Sequence, residues 1–300
     1  MAYTGTRNND RKNARADEAR AHIAEMDARF KSDIARSLAE LKVYEGSPKT
    51  TAEGCMPQVT VVDQDSVAAV LERGRGLGSA CDLALLDFAS FINPGGGYER
   101  GAWAQEEAIC AESTLYNVLR EQRSWYNDNR RRNINCELYR NRGLVAPKIR
   151  FERDGYHSYA DVIVVAAPFA KRAKDTYNVK DGALRAAMRE RIRFVLAIAD
   201  DLGHKKLVLG AFGCGVFGWD ASVVARMFLE ELATGTHVAE QVVFAIPHAR
   251  FDENLAKFQH AFAKFPEAND APYAKPVEKP VETKADEDDD EDEDDWRKYL

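Results

Sequence analysis

The sequence predicts an α/β fold, one sheet with helices on both faces. Three observations carry this expectation. Short apolar runs at Val59–Val62, Leu83–Phe91, Asp161–Ala167, Lys206–Leu209 and Val242–Ile246 have the length and composition of strands. Between them lie stretches whose apolar residues recur every three or four positions, as helices require. Two glycine-rich loops each follow a strand and precede a helix, the position at which open α/β sheets bind ligands. No internal repeat interrupts this alternation.

The elements follow in order. Residues 1 to about 18 are polar and are expected to be flexible. From Ala19 to Leu41 the spacing of Ile23, Met26, Phe30, Ile34, Leu38 and Leu41 predicts a single amphipathic helix. Asp65 and Ser66 cap a helix running through Leu71, and Gly74 to Gly78 form a loop. Strand Leu83–Phe91 ends at the first glycine loop, and a helix Ala102–Arg120 follows. Residues 121–160 are polar and rich in Arg and Asn, and only short strands at Leu144–Val145 and Ile149–Phe151 stand out.

A helix from Gly182 to Asp201 turns Leu184, Met188, Ile192, Val195 and Ala199 inward. Strand Lys206–Leu209 leads to the second glycine loop, then to a helix Ala221–Leu232. Phe251–Phe265 makes the last helix. Beyond it come Pro272, Pro276 and Pro280, then ten uninterrupted acids from Asp286 to Asp295. Such a run repels itself and buries no core, so residues 266–300 are expected to be a disordered acidic tail. The expected organisation is therefore a flexible stretch over 1–18, one domain over 19–265 and the tail.

With 45% apolar and 10% aromatic residues, a chain of 300 residues buries a sizeable core. The net charge of −7 is concentrated at one end. From Pro266 onward fourteen acids against five bases give −9, leaving a nearly neutral body. The tail would repel nucleic acid, and its partner is unassigned. Cys55, Cys81, Cys110, Cys136 and Cys214 are an odd set without CxxC spacing, so reduced, mostly buried thiols and no metal are expected. The polar N-terminus lacks the form of a signal peptide, and no apolar run approaches the ~20 residues that span a bilayer. The expectation is a cytoplasmic protein without membrane contact.

The segment Asn93 to Glu107, NPGGGYERGAWAQEE, carries most of the chemistry. Gly95, Gly96 and Gly97 allow backbone with φ > 0 to lie flat against a ligand. Gln105, Glu106 and Glu107 then open the helix. On a helical wheel Ala104, Ala108, Ala111, Leu115 and Val118 form an apolar stripe, and Glu107 falls within it. A carboxylate facing a core costs several kcal/mol unless it is paired or protonated, so Glu107, rather than Glu106, is the candidate buried acid. The plainer reading is an ordinary acidic first turn.

The second loop, Leu209 to Gly218 (LGAFGCGVFG), lacks the Walker lysine and the GxGxxG spacing. Amide N–H groups in such a loop, backed by a helix N-terminus, bind phosphate. Two glycine loops and an acid pair point to a diphosphate ligand and cleavage of a bond beside it. A glycine-rich packing turn is the plainer alternative. His157 and His248 read as surface or packing histidines. Trp103 and Tyr98 are read either as a cover or stacking surface for the ligand or as packing. Arg130 to Arg132 near Trp125 and Tyr126 read as a solvated basic turn, with contact to an anionic ligand as the alternative.

FINPGGGYERGAWAQEEAICAESTLY together with LVLGAFGCGVFGWD resembles the bacterial-type poly(ADP-ribose) glycohydrolases. That family's signature is GGG, six to eight residues, then QEE; here seven residues, Tyr98–Ala104, lie between. VTVVDQDSVAAVL, VAPKIRFERDG, DVIVVAAP and VVFAIPH extend the likeness over roughly residues 20–265, with 121–160 matching least. The resemblance implies a macrodomain-like three-layer α/β/α sandwich with a mixed central sheet and an N-terminal helical extension. It implies a glycohydrolase that cuts ribose–ribose bonds, using no cofactor and no metal.

By position, Glu107 would be the catalytic acid and then the base that activates water. Glu106 would hold ribose hydroxyls, and Gln105 would support the site. Asn93, Gly95, Gly96 and Gly97 would contact the distal ribose and diphosphate. Gly213, Cys214, Gly215, Val216 and Phe217 would wrap the diphosphate, with Phe217 ordering the terminal ribose. The partners implied are poly(ADP-ribose) or ADP-ribosylated macromolecules, met by a monomer. Two alternatives stand beside this: a hydrolase of mono-ADP-ribose on protein or nucleic acid, and a macrodomain that binds ADP-ribose without turnover.

Overall fold

The computed structural model describes residues 4–49, 53–249 and 252–275. Helices α1 (Thr4–Arg29) and α2 (Lys31–Glu40) lead into strands β1 (Lys42–Glu45) and β2 (Gln58–Val62). Helix α3 (Ser66–Arg73), strand β3 (Leu83–Phe88) and the short helices α4 (Gln105–Ala111), α5 (Leu115–Leu119) and α6 (Arg123–Arg132) follow. The hairpin β4 (Arg142–Arg153) and β5 (Tyr156–Val165) comes next. After it the chain runs through α7 (Ala170–Tyr177), α8 (Asp181–Leu202), β6 (Lys206–Leu209), α9 (Ala221–Leu232), β7 (Gln241–Ala245) and α10 (Asn254–Phe262).

The seven strands form one sheet in the order β1-β4-β5-β3-β6-β7-β2. The pairs β1–β4 and β4–β5 are antiparallel, and the four remaining pairs are parallel. This is the mixed sheet of a macrodomain-like α/β/α sandwich. Strand β3 is central, between β5 and β6. Its period of two sends Ala84 and Leu86 to the layer of α8 and α9, and Leu83 and Leu85 to the layer of α3, α4 and α5. Asp87 shares the parity of Leu83 and Leu85, so it points toward α4.

Several expectations change here. Residues 4–18 are helical, forming the first turns of α1, because tertiary contacts hold them. Ala16 and Ala19 are buried, and the Arg15 side chain donates to Gly101 O at 3.0 Å. The single helix expected over Ala19–Leu41 breaks at Phe30, whose ring lies between the guanidinium groups of Arg29 and Arg150. The helix expected over Ala102–Arg120 is interrupted at Glu112–Thr114. There Ser113 Oγ donates to Ile109 O, accepts from Leu115 N, and its backbone bridges Phe151.

The two short strands read in 121–160 are parts of the longer β4, joined across a bulge between Ala146 and Ile149. The five cysteines are free, as expected of reduced thiols, but only Cys110 is buried and Cys136 is exposed. Helix α10 is shorter than expected, and Phe251, expected to begin it, lies outside the described residues. Residues 266–275 lie against α9 and α10, with Asn269 Nδ2 donating to His260 O and Arg226 pairing with Asp270. The acidic run lies outside the described residues.

Candidate active site

The first glycine loop leaves the C-terminal end of β3 and coils tightly before α4. Gly96 N donates to Asn93 O, Tyr98 N to Gly95 O, and Ala102 N to Gly97 O. Gly95 and Gly96 both take φ +60. A Cβ on Gly96 would collide with the carboxylates of Glu107 and Glu106, and one on Gly95 with the Tyr116 ring. Glycine is required here because the acids sit directly against the backbone.

Each residue of the Gln105–Glu107 triplet grips a different backbone group. Gln105 Oε1 accepts from Phe88 N at 2.9 Å, and its Nε2 donates to Leu86 O and Ser66 Oγ, fastening α4 to β3. Glu106 Oε2 accepts from Ser90 N and Glu107 Oε1 from Gly97 N, both at 2.7 Å. The wheel singles out Glu107 as the buried acid; the structure buries both, Glu106 to 4% and Glu107 to 7% exposure. The reason is that α4 lasts only seven residues and rolls its other face inward: Ile109 and Cys110 are buried, whereas Ala104 is exposed. The free oxygens differ. Glu106 Oε1 is sealed without a partner, whereas Glu107 Oε2 hydrogen-bonds to none of the described residues and is not sealed.

A third acid, missed in the sequence, lies beneath them. Asp87 is 0% exposed and neither of its oxygens has a partner among the described residues. Burial pushes its carboxyl well above the usual range, and the charge of Glu107 adds to that. Burial does the same to Glu106, reinforced by Asp87 and then Glu107. Burial and mutual repulsion therefore oppose full ionisation of Asp87 and Glu106. The alternation of β3 was the available signal, since Asp87 interrupts an otherwise apolar face.

The second glycine loop leaves β6, the neighbour of β3. Cys214 N donates to Ala211 O, Gly218 N to Gly215 O and Trp219 N to Gly213 O. The N–H groups of Gly213, Gly215, Val216 and Phe217 donate to none of the described residues, a concentration of free amides that suits an anion. Gly213 takes φ +76, and a Cβ there would press on Ala167 and Trp219.

Tyr139 joins the two loops. Its ring stacks on Phe91 at 4.4 Å, and Phe217 meets it edge-on at 6.5 Å while stacking on Phe169 at 4.6 Å. The segment bearing Tyr139 has φ > 0 at Asn135, Cys136, Glu137 and Tyr139. Arg191, 1% exposed, donates to the carbonyls of Ala166, Leu138, Tyr139 and Arg140 and so fixes this segment. Burial lowers its pKa to about 10, so it stays charged at neutral pH.

Asn93 Oδ1 accepts from Arg130, and a cavity of about 240 Å³ beside it is lined by Arg100, Arg120, Arg123 and Arg130. Trp125 and Tyr126 are buried and pack the fold, as does Tyr98 against Tyr116. Trp103 is exposed beside the loop.

Residues 15–154 match the family described as microbial-type poly(ADP-ribose) glycohydrolase (PARG), catalytic domain. The poly(ADP-ribose) glycohydrolase of Thermomonospora curvata has a similar structure, with a TM-score of 0.69 at 27% identity, covering 82% of this chain and 98% of that one. The chain resembles the bacterial-type poly(ADP-ribose) glycohydrolases in both sequence and structure. A second structure of the Thermomonospora curvata glycohydrolase, bound to the inhibitor ADP-HPD, gives a TM-score of 0.70 at 27% identity over 83% of this chain and 100% of that one. The Deinococcus radiodurans glycohydrolase in complex with ADP-ribose gives 0.66 at 29% identity over 75% and 95%. No curated protein matches. The GGG and QEE halves of the glycohydrolase signature are in direct contact here, through Gly97 N and Glu107 Oε1. No helix among the described residues is long and apolar enough to cross a membrane.

Proposed function

We propose that the chain is a poly(ADP-ribose) glycohydrolase that hydrolyses ribose–ribose O-glycosidic bonds and releases ADP-ribose, with residues 19–265 as the catalytic domain. The observation that carries this reading is the pairing of two buried carboxylates with a second loop whose amides are free. The diphosphate of a terminal ADP-ribose unit fits the N–H groups of Gly213, Gly215, Val216 and Phe217, with the Cys214 turn between them. Phe217, held by Tyr139 and Phe169, then orders the terminal ribose. Asn93 and Gly95–Gly97 line the other side.

Glu107 is the general acid in this reading, because its Oε2 is the carboxylate oxygen left open. It protonates the leaving ribose oxygen as the glycosidic C–O bond breaks. The oxocarbenium-like centre that forms is stabilised by the adjacent diphosphate. Glu107, now a carboxylate, takes a proton from water, whose oxygen bonds to the anomeric carbon. Glu106, anchored on Ser90 N, holds the ribose hydroxyls, and Gln105 locks α4 to β3. The arginine-lined cavity beside Asn93 favours a polymer over a single unit, since a continuing anionic chain meets cations there. The reading also has the chain acting as a cytoplasmic monomer, which sedimentation tests for its oligomeric part.

Incubation with poly(ADP-ribose) and, separately, with mono-ADP-ribosylated protein tests the substrate. Free ADP-ribose from polymer supports the reading. Release only from the mono-modified protein, or tight binding with no product, contradicts it.

A further inference from the structure

The opposite end of the sheet carries a second cluster. Cys81 precedes β3, Asp161 lies inside β5 and His204 precedes β6, and one donor atom from each lies within 4.8 Å of the others. Cys81 Sγ is 3.5 Å from Asp161 Oδ1, and His204 Nε2 is 2.9 Å from Asp161 Oδ2. We propose that Cys81, Asp161 and His204 form a three-ligand site for zinc or a similarly thiophilic divalent transition metal, which ties the leading ends of β3 and β6 to the middle of β5.

The donor set selects this class of cation. A thiolate, an imidazole and one carboxylate suit a borderline-soft ion, whereas calcium and magnesium take oxygen ligands. Tetrahedral zinc places sulfur and oxygen ligands about 3.6 Å apart and nitrogen and oxygen ligands about 3.4 Å apart. The two contacts reach different oxygens of Asp161, so the carboxylate turns to offer one of them to the cation as the imidazole draws back. Half-buried Cys81 and His204 leave an approach from solvent, where water completes the shell.

The anchor for the set is Asp161, a buried acid in the apolar run of β5. Its Oδ1 accepts from Lys148 N–H at 2.8 Å and its Oδ2 meets His204 Nε2 at 2.9 Å. It is therefore fixed in place before a cation arrives. Sequence spacing hid the set, because residues 81, 161 and 204 meet only through the pairing of β3 with β5 and β6. Asp161 pairs with Ala84, and Phe88 lies four residues further along β3, about 13 Å away at ~3.3 Å per residue. The first glycine loop begins beyond that, so the site is separate from Glu106 and Glu107.

Titration of the full chain with Co²⁺ is the test. One equivalent is expected to produce a thiolate-to-cobalt charge-transfer band, which Zn²⁺ then abolishes by displacement. In Cys81→Ser the band disappears, and in His204→Gln the apparent Kd for Zn²⁺ rises at least ~10-fold. Both variants are expected to keep polymer hydrolysis within about two-fold of the parent, which also shows that they fold. Zn²⁺ raises the Tm of the parent and not that of Cys81→Ser. Absence of the band from the parent chain, or its persistence in Cys81→Ser, overturns the proposal and leaves Asp161–His204 as a plain hydrogen-bonded pair.

Discussion

Glu107 Oε1 accepts the backbone N–H of Gly97 at 2.7 Å, so the catalytic candidate and the glycine loop fix one another. The contact is possible because no side chain stands between loop and helix. One oxygen of the carboxylate is spent on positioning, and the other remains for chemistry.

Gly96→Ala tests that packing. At φ +60 the new Cβ is strained, and it meets both carboxylates. The expected cost is about 1–3 kcal/mol of stability together with a large loss of turnover. Denaturant melts and polymer hydrolysis measure the two effects, and unchanged activity would mean that the acids do not depend on the loop.

Asp87→Asn tests the buried carboxyl through pH. A carboxyl raised in the folded state costs nothing below its unfolded pKa, where both states are protonated. As pH climbs above that value the unfolded chain releases its proton first, so stability falls until the folded pKa is passed. The contribution of Asp87 to parent stability is therefore expected to decline from about pH 4 upward, and Asp87→Asn is expected to remove that contribution. Equal slopes in Tm against pH for the two proteins would contradict the assignment.

Tyr139→Ala removes the ring between Phe91 and Phe217 and is expected to cost about 3 kcal/mol. Its KM for polymer should rise more than its kcat falls, because the second loop loses its support. Tyr139→Phe keeps both ring contacts and is expected to stay near parent values, losing only the hydroxyl bond to Glu137. A Tyr139→Ala variant with unaltered KM would show that the loop holds itself.

The strand–loop–helix run from Leu83 to Glu107 was legible because local patterns decide it: an apolar run, glycines at φ > 0 and acids opening a helix. The second loop and helices α3, α8 and α9 were legible for the same reason. What escaped depends on contacts distant in sequence. Helix α1 extends over polar residues because Arg15 and Ala16 dock on Gly101 and its surroundings. The break at Ser113 follows from its bridge to Phe151. Tyr139 sits in a backbone held by Arg191 from fifty-two positions away, and no local pattern announces it. The helical wheel singles out Glu107 alone because it assumes a long straight helix, where a short one rolls inward.

The most direct measurement compares polymer turnover by the parent, Glu107→Gln and Glu106→Gln, with ADP-ribose affinity measured alongside by calorimetry. Glu107→Gln is expected to lose about 10²–10⁴-fold in kcat while ADP-ribose affinity stays within a few-fold. Glu106→Gln is expected to weaken ligand binding as well as turnover. Parent-like turnover by Glu107→Gln, with the protein folded and ADP-ribose bound, would contradict the account at its centre.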